Sequence, residues 1–191
     1  MKIDDVSLTI FAWDGIPATS YHQGSLASAK SDLGLLRIRT DQGLEGHAFL
    51  GSASNPASMD GAQLIRSLKP LLMGKNPLHR EAIHQSMRLL TRTVSYRVVG
   101  AVDTALWDLA GKIANLPVHA LMGTCRTSIM GYASSQVLPD VAAYVDQAQA
   151  FKANGWKAYK IHPPRVPEKD IEVCVAVRKA VGDDYRVALD S

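Results

Sequence analysis

The chain lacks most of the features that would commit it to a specialised class. It holds only two cysteines in 191 residues. These, Cys125 and Cys174, lie far apart and form no metal-type spacing. Cys174 falls in an apolar helical stretch and reads as a buried structural thiol. No apolar run approaches the length of a membrane span, and Met1-Lys2-Ile3-Asp4-Asp5 lacks the apolar core of a secretory signal. A reducing cytoplasm fits both absences. No charge of one sign dominates either. The formal net charge is +3, with Lys and Arg scattered along the chain, so the basic stripe that a nucleic-acid partner would want is missing. Low-complexity segments and internal repeats are absent as well. What remains is 47% hydrophobic and 20% charged, an ordinary balance for a globular protein. The length suits one medium domain or two small ones, with a real core.

The first half reads as strands followed by helices. Val6, Leu8, Ile10 and Ala12 alternate with residues of the other face, as in a β-strand. A second strand runs through 35–39, turns at Asp41-Gln42-Gly43 and returns through 45–49, a hairpin signal. Between the first two strands, Asp14 to Asp32 is rich in Ser, Ala, Gly and Pro and is expected to form a long functional loop. A helix is predicted over 57–73 and ends at Gly74, with Leu64, Leu68, Leu71 and Leu72 apolar. A second opens at Asn76-Pro77 and runs to about Leu90. A third covers about 97–114, with Ala101, Ala105, Leu109 and Ile113 forming an apolar seam.

From Ile129 the rhythm changes to strand, helix, strand, helix, strand. The strands are predicted at 129–134, 156–162 and 186–190. The first helix, about 139–153, presents Val141, Val145, Ala148 and Phe151 on one face. The second, from Pro167 to Gly182, carries Ile171, Cys174, Val175 and Val181 as its apolar set. Such alternation indicates a parallel sheet built of right-handed crossovers. A doubly wound nucleotide-binding sheet would need a glycine-rich turn after its first strand. This chain has Ser134-Ser135-Gln136-Val137-Leu138-Pro139 there, which rejects that fold.

The chemistry-bearing residues fall at the ends of these strands. Alternate side chains of a strand share a face, so Lys160 and His162 point the same way. In the next strand Asp190 stands on one face with Ala188, while Val187 and Leu189 take the other. Charged groups are unusual in a parallel strand buried on both faces, so Lys160, His162 and Asp190 are active-site candidates. Asp103, Asp108, His79, His84 and His119 read as surface or structural groups, and the three Trp residues as packing.

One stretch is specific enough to name a family. Gly100-Ala101-Val102-Asp103-Thr104-Ala105-Leu106-Trp107-Asp108-Leu109-Ala110-Gly111-Lys112, followed by Leu116-Pro117-Val118 and Leu121-Met122-Gly123, resembles the signature helix of the mandelate racemase and muconate lactonizing group of the enolase superfamily. Val98 stands where that pattern usually has Ala. Thr40-Asp41-Gln42-Gly43, Leu68-Lys69-Pro70 and Gly182-Asp183-Asp184 add to the resemblance in the right order along the chain.

The resemblance implies an α+β capping domain, residues 1–124, followed at 125–191 by the start of a modified (β/α)8 TIM barrel. Eight strands close such a barrel and the chain holds three, so it is expected to be part of a chain roughly twice as long. The implied activity is Mg²⁺-dependent abstraction of the proton alpha to a carboxylate, giving a metal-stabilised enediolate. Such a proton is very weakly acidic, so the developing charge requires concentrated positive charge. Asp190 matches the family's first metal ligand. Lys160 matches the first residue of the family's Lys-x-Lys and is expected to meet the substrate carboxylate. His162 takes the place of the second Lys, as base, as acid or as a substrate contact. Ser134 matches a polar position at the first barrel strand's end. Tyr21 and His22 lie in the loop that would close over the barrel mouth, with His47 and Leu50 in or beside a second lid segment.

The substrate class implied is a small hydroxy or sugar acid, with dehydration favoured over racemization because the strand-two base is altered and the loop is polar. A homo-oligomer is expected. The competing class is a non-catalytic binding protein that kept the fold and lost a working strand-two Lys.

Overall fold

The computed structural model describes residues 1–14, 30–52 and 55–190. The chain divides into two compact units, one ending at Cys125 and the other taking up the chain from Arg126.

The first unit opens with an antiparallel sheet of β1 (Ile3–Asp14), β2 (Lys30–Thr40) and β3 (Glu45–Leu50), in that order. The β2–β3 hairpin closes as its sequence requires. Gly43 adopts φ +79, a conformation open to glycine without strain, and the Thr40 hydroxyl accepts the Leu44 amide at 3.2 Å. The sheet extends further than its alternation suggested. β1 continues to Asp14 and β2 begins at Lys30, pairing Phe11 with Leu33 and Trp13 with Ser31, so both ends of the expected loop belong to strands. Apolar cross-strand pairs such as Phe11 with Leu33 stabilise this extension.

Helices follow. The segment predicted as one helix over 57–73 is three pieces: α1 (Ala57–Gln63), a π-helical turn (Leu64–Leu68) and α2 (Lys69–Leu72). Pro70 explains the break, because it has no N–H for the carbonyl one turn back and its ring crowds that carbonyl; a π turn absorbs the mismatch. Leu64, Leu68 and Leu72 are still fully buried. The next helix, α3 (Arg80–Arg88), starts later than Asn76-Pro77 suggested. Asn76 instead caps a separate turn, its side-chain oxygen accepting the Leu78 amide at 3.0 Å.

α4 (Tyr96–Ala114) is capped by the Ser95 hydroxyl, which accepts the Arg97 amide, and ends at Asn115 in the left-handed region. Its predicted seam is buried, with Ala105 and Leu109 fully so and Ile113 partly. Helix and sheet approach closely because Gly46 lies between them. A Cβ there would run into the Ala105 carbonyl oxygen and meet the Leu109 Cβ at 2.9 Å. The buried Asp60 carboxylate receives the Arg97 guanidinium at 2.9 Å. Leu50, read as a lid residue, is 2% exposed and belongs to this core. A short α5 (Val118–Leu121) follows.

The second unit is a parallel sheet of β4 (Ala133–Ser134), β5 (Ala158–Ile161) and β6 (Arg186–Leu189), in that order, with α6 (Val141–Ala153) and α7 (Pro167–Val181) between the strands. Only two residues of the predicted first strand are paired, and Ile129 is 80% exposed. Tyr144 and Ala148 of α6 pack with Tyr159 and Ile161 of β5. On α7 the buried stripe is Val173, Val177 and Val181, whereas Ile171 and Val175, predicted on the apolar face, are 65% and 62% exposed. Residues four apart share a helix face, and the sheet receives the 173/177/181 row. Cys174 is half-buried beside that row, and burial pushes its thiol pKa up. Trp13 and Trp156 are nearly half exposed, so packing alone does not account for them; Trp107 lies under the Arg80 guanidinium, 3.3 Å from its ring centroid. No helix among the described residues is long and apolar enough to cross a membrane.

Candidate active site

The sheet register places the charged residues together. Parallel pairing sets Ser134 opposite Lys160 and Lys160 opposite Ala188. One step beyond β6, the Asp190 amide still donates to the Ile161 carbonyl at 3.0 Å, which continues the ladder and brings Asp190 level with His162. Side chains at alternate positions then converge at the carboxyl ends of the strands. In α/β sheets this end is where ligands bind.

Lys160 Nζ lies 2.5 Å from Asp190 Oδ2, and His162 Nε2 lies 3.3 Å from the same oxygen. The two basic groups therefore share one carboxylate oxygen. The hydrogen bond to Asp190 raises the Lys160 pKa, and the hydrogen bond from Lys160 lowers that of Asp190. Each holds the other in its charged form. The Lys160 ammonium also sits 5.7 Å from the centroid of the Tyr132 ring. The side chains of Lys160 and His162 are largely covered, at 22% and 17% exposure, whereas Asp190 is 47% exposed. An ion pair open to water on one side adds little to stability; its interest lies in where it places charge.

Ser134 joins this group, its Oγ lying 3.3 Å from His162 Nδ1. Tyr21 and His22 lie outside the described residues. His47 stands apart in the first unit. Its amide donates to Asp108 Oδ2 at 2.8 Å, and its Nδ1 lies 3.1 Å from the Lys112 ammonium. Burial would raise the Asp108 pKa, but the hydrogen bonds from Lys112 and the His47 amide outweigh it and hold the carboxyl below its usual value. Asp108, read from sequence as a surface or packing group, is thus a tie between β3 and α4.

Sequence reasoning missed Ser135 and Tyr144, both 1% exposed and both bonded to His162. The signal was available for Ser135, the next residue after Ser134 at the end of β4. For Tyr144 nothing in its helix marked the hydroxyl as directed at a strand end.

A hard divalent cation takes oxygen ligands and commonly keeps several waters. Asp190 offers one suitable carboxylate. Among the described residues no group of three His, Cys, Asp or Glu could hold a metal ion, so these residues would contribute a single anchor to such a site.

Comparison with known proteins gives a consistent pattern. Residues 12–123 match the model of the mandelate racemase / muconate lactonizing enzyme N-terminal domain. The chain is 27% identical over 177 residues to arabinonate dehydratase of Saccharolobus solfataricus, covering 87% of this chain and 47% of that protein. It is 28% identical over 181 residues to the hydrophobic dipeptide epimerase of Enterococcus faecalis, covering 88% and 47%. Among solved structures, D-glucarate dehydratase from Agrobacterium tumefaciens, complexed with magnesium, superposes with a TM-score of 0.82 at 27% identity, over 100% of this chain and 54% of that one. The chain thus spans about half the length of the proteins it matches.

Proposed function

From a chain that belongs to the mandelate racemase / muconate lactonizing enzyme family, its first unit being the N-terminal capping domain with a three-stranded antiparallel sheet, we propose an enzyme that removes the proton alpha to the carboxylate of a small acid. In this reading residues 1–124 form the capping domain, and residues 125–191 supply the first three strands of a TIM barrel. The observation that carries it is the convergence of Lys160, His162 and Asp190 at the carboxyl ends of two adjacent parallel strands.

The roles follow from the charges. Lys160, held as an ammonium by Asp190, is a fixed positive charge that can face the substrate carboxylate; with its pKa raised it is unsuited to accept a proton. Imidazole is the side chain suited to accept one near neutral pH, and His162 takes that role. Ser134, beside the imidazole, would contact the substrate, as would Tyr21 and His22. Asp190 would supply one ligand to Mg²⁺, which when bound offsets negative charge developing on the carboxylate. Arabinonate dehydratase and D-glucarate dehydratase act on sugar acids, and the epimerase on dipeptides. Among these, a sugar acid with dehydration as outcome suits a single basic group on this face better than racemization, which requires bases on both.

Proton exchange tests this reading directly. In the intact protein with Mg²⁺ in D₂O, a panel of sugar acids should contain one that either exchanges its alpha proton for deuterium or loses water to a 2-keto acid labelled at the carbon that carried the hydroxyl, with both lost in His162→Asn. Neither exchange nor dehydration with any acid, despite tight acid binding, would favour a non-catalytic binding protein on the same fold.

A further inference from the structure

We propose that Tyr132 is a positioning residue for Lys160, its ring being the support that keeps the ammonium in place to receive the carboxylate of an acid. The inference rests on the reading of Lys160 as the charge that meets that carboxylate, and adds what holds the charge there.

The register leaves Lys160 with little beside it. Ser134 of β4 and Ala188 of β6 lie level with it on either side. Two residues back along β5, on the same face, is Ala158, again small. Side chains this short give no wall to a lysine, whose charge rides on a long flexible stem. Arg186 stands level with Ala158, but its Nη1 turns to Met130 Sδ at 3.2 Å. Asp190 does reach the ammonium, at 2.5 Å. The same oxygen is approached by His162 at 3.3 Å, however, and the carboxylate is 47% exposed. An ion pair so open to water restrains a long side chain weakly.

Tyr132 supplies the wall. It stands just before β4 and two residues before Ser134, so it shares the face on which Ser134 meets Lys160. Carried one row down, the β4–β5 register sets it level with Ala158, where the small neighbour leaves room for a ring. Lys160 Nζ lies over that ring, 5.7 Å from its centroid, within the reach at which a cation is drawn to an aromatic face. A ring face can steady an ammonium while leaving N–H groups for the carboxylate of an acid. A tyrosine also turns about few torsions, so it is a stiffer support than a second long side chain.

Crystal structures of the intact protein test this without turnover. In the unmodified protein the Lys160 ammonium should lie against the Tyr132 ring. In Tyr132→Leu, which keeps bulk but loses the aromatic face, the Lys160 side chain should spread over more than one rotamer; in Tyr132→Phe it should stay in place. Calorimetry with the sugar acid bound most tightly should show its dissociation constant rising by about fivefold or more in Tyr132→Leu, the scale of a cation–π contact. Tyr132→Phe should keep most of the affinity. In a Lys160→Met background the Tyr132→Leu effect should vanish, because the ring acts through the ammonium. An undiminished loss there would mark a purely structural ring and overturn the proposal. A ring turned away from the ammonium in the unmodified protein overturns it whether or not the variants fold, and so does an unmoved Lys160 in folded Tyr132→Leu. Failure of every acid to bind would defeat only the reading of Lys160 as a substrate contact, because the crystal structures decide separately what holds the ammonium.

Discussion

The Lys160 ammonium and the Asp190 carboxylate meet at 2.5 Å although a whole helix separates them in the chain. Parallel pairing of β5 with β6 is what joins them. The contact falls on Oδ2, the oxygen that His162 also approaches, so this carboxylate answers to both basic groups at once.

Removing the charge of Asp190 tests that arrangement. In the intact protein, Asp190→Asn should leave the fold intact and reduce Mg²⁺ affinity by about a hundredfold or more, since even outer partners of metal ligands are worth roughly 10–100-fold. It should also lower the Lys160 pKa, which Asp190 holds up. Undiminished metal affinity in calorimetry would take Asp190 out of the site.

Lys160 and His162 should fail differently. On the proposed reading, Lys160→Met removes the charge that would face the substrate carboxylate and should weaken both binding and rate. His162→Asn should preserve binding while cutting the rate by roughly a hundredfold or more, the scale of general-base catalysis. Steady-state kinetics in which His162→Asn turns over at the unmodified rate would place the base elsewhere.

Gly46→Ala probes the capping domain alone. The added Cβ meets the Ala105 carbonyl and the Leu109 Cβ, so β3 and α4 must separate. A loss of about 1–3 kcal/mol is expected from overpacking of this kind, read as a lowered denaturation midpoint; an unchanged midpoint would show that the two elements yield without cost.

Acid should loosen the same junction. The Asp108 pKa is depressed in the folded state, so its contribution is present above the unfolded value of about 3.9 and is lost as pH falls through the lower folded value. Asp108→Asn should therefore flatten the acid limb of the stability curve below about pH 4. An acid limb of unaltered slope would count against the tie.

Residues 1–191 expressed alone should self-associate. Among the described residues β6 pairs on one side only, and Leu189, Ile171 and Val175 are each about half exposed or more, the combination that favours edge-to-edge aggregation. Sedimentation of a monomer with a sharp cooperative melt would contradict this.

Local pattern decided much of this protein. The hairpin turn at Gly43, the seam of α4 and the alternation of strands with helices all rest on periodicity and turn chemistry, which act over a few residues and so can be read from the sequence. Lys160 and His162 were legible for the same reason, because period two puts them on one face. Other features needed the assembled chain. β1 and β2 run on to Asp14 and Lys30 because each strand supplies the other's partners, which neither stretch reveals by itself. The buried row of α7 is 173/177/181 because the sheet lies on that side, whereas Ile171 and Val175 are equally apolar. The hold of Ser135 and Tyr144 on His162 is likewise tertiary. A hydrogen bond depends on where two backbones are brought, and the register of three parallel strands, set by the packing of α6 and α7, brings these together.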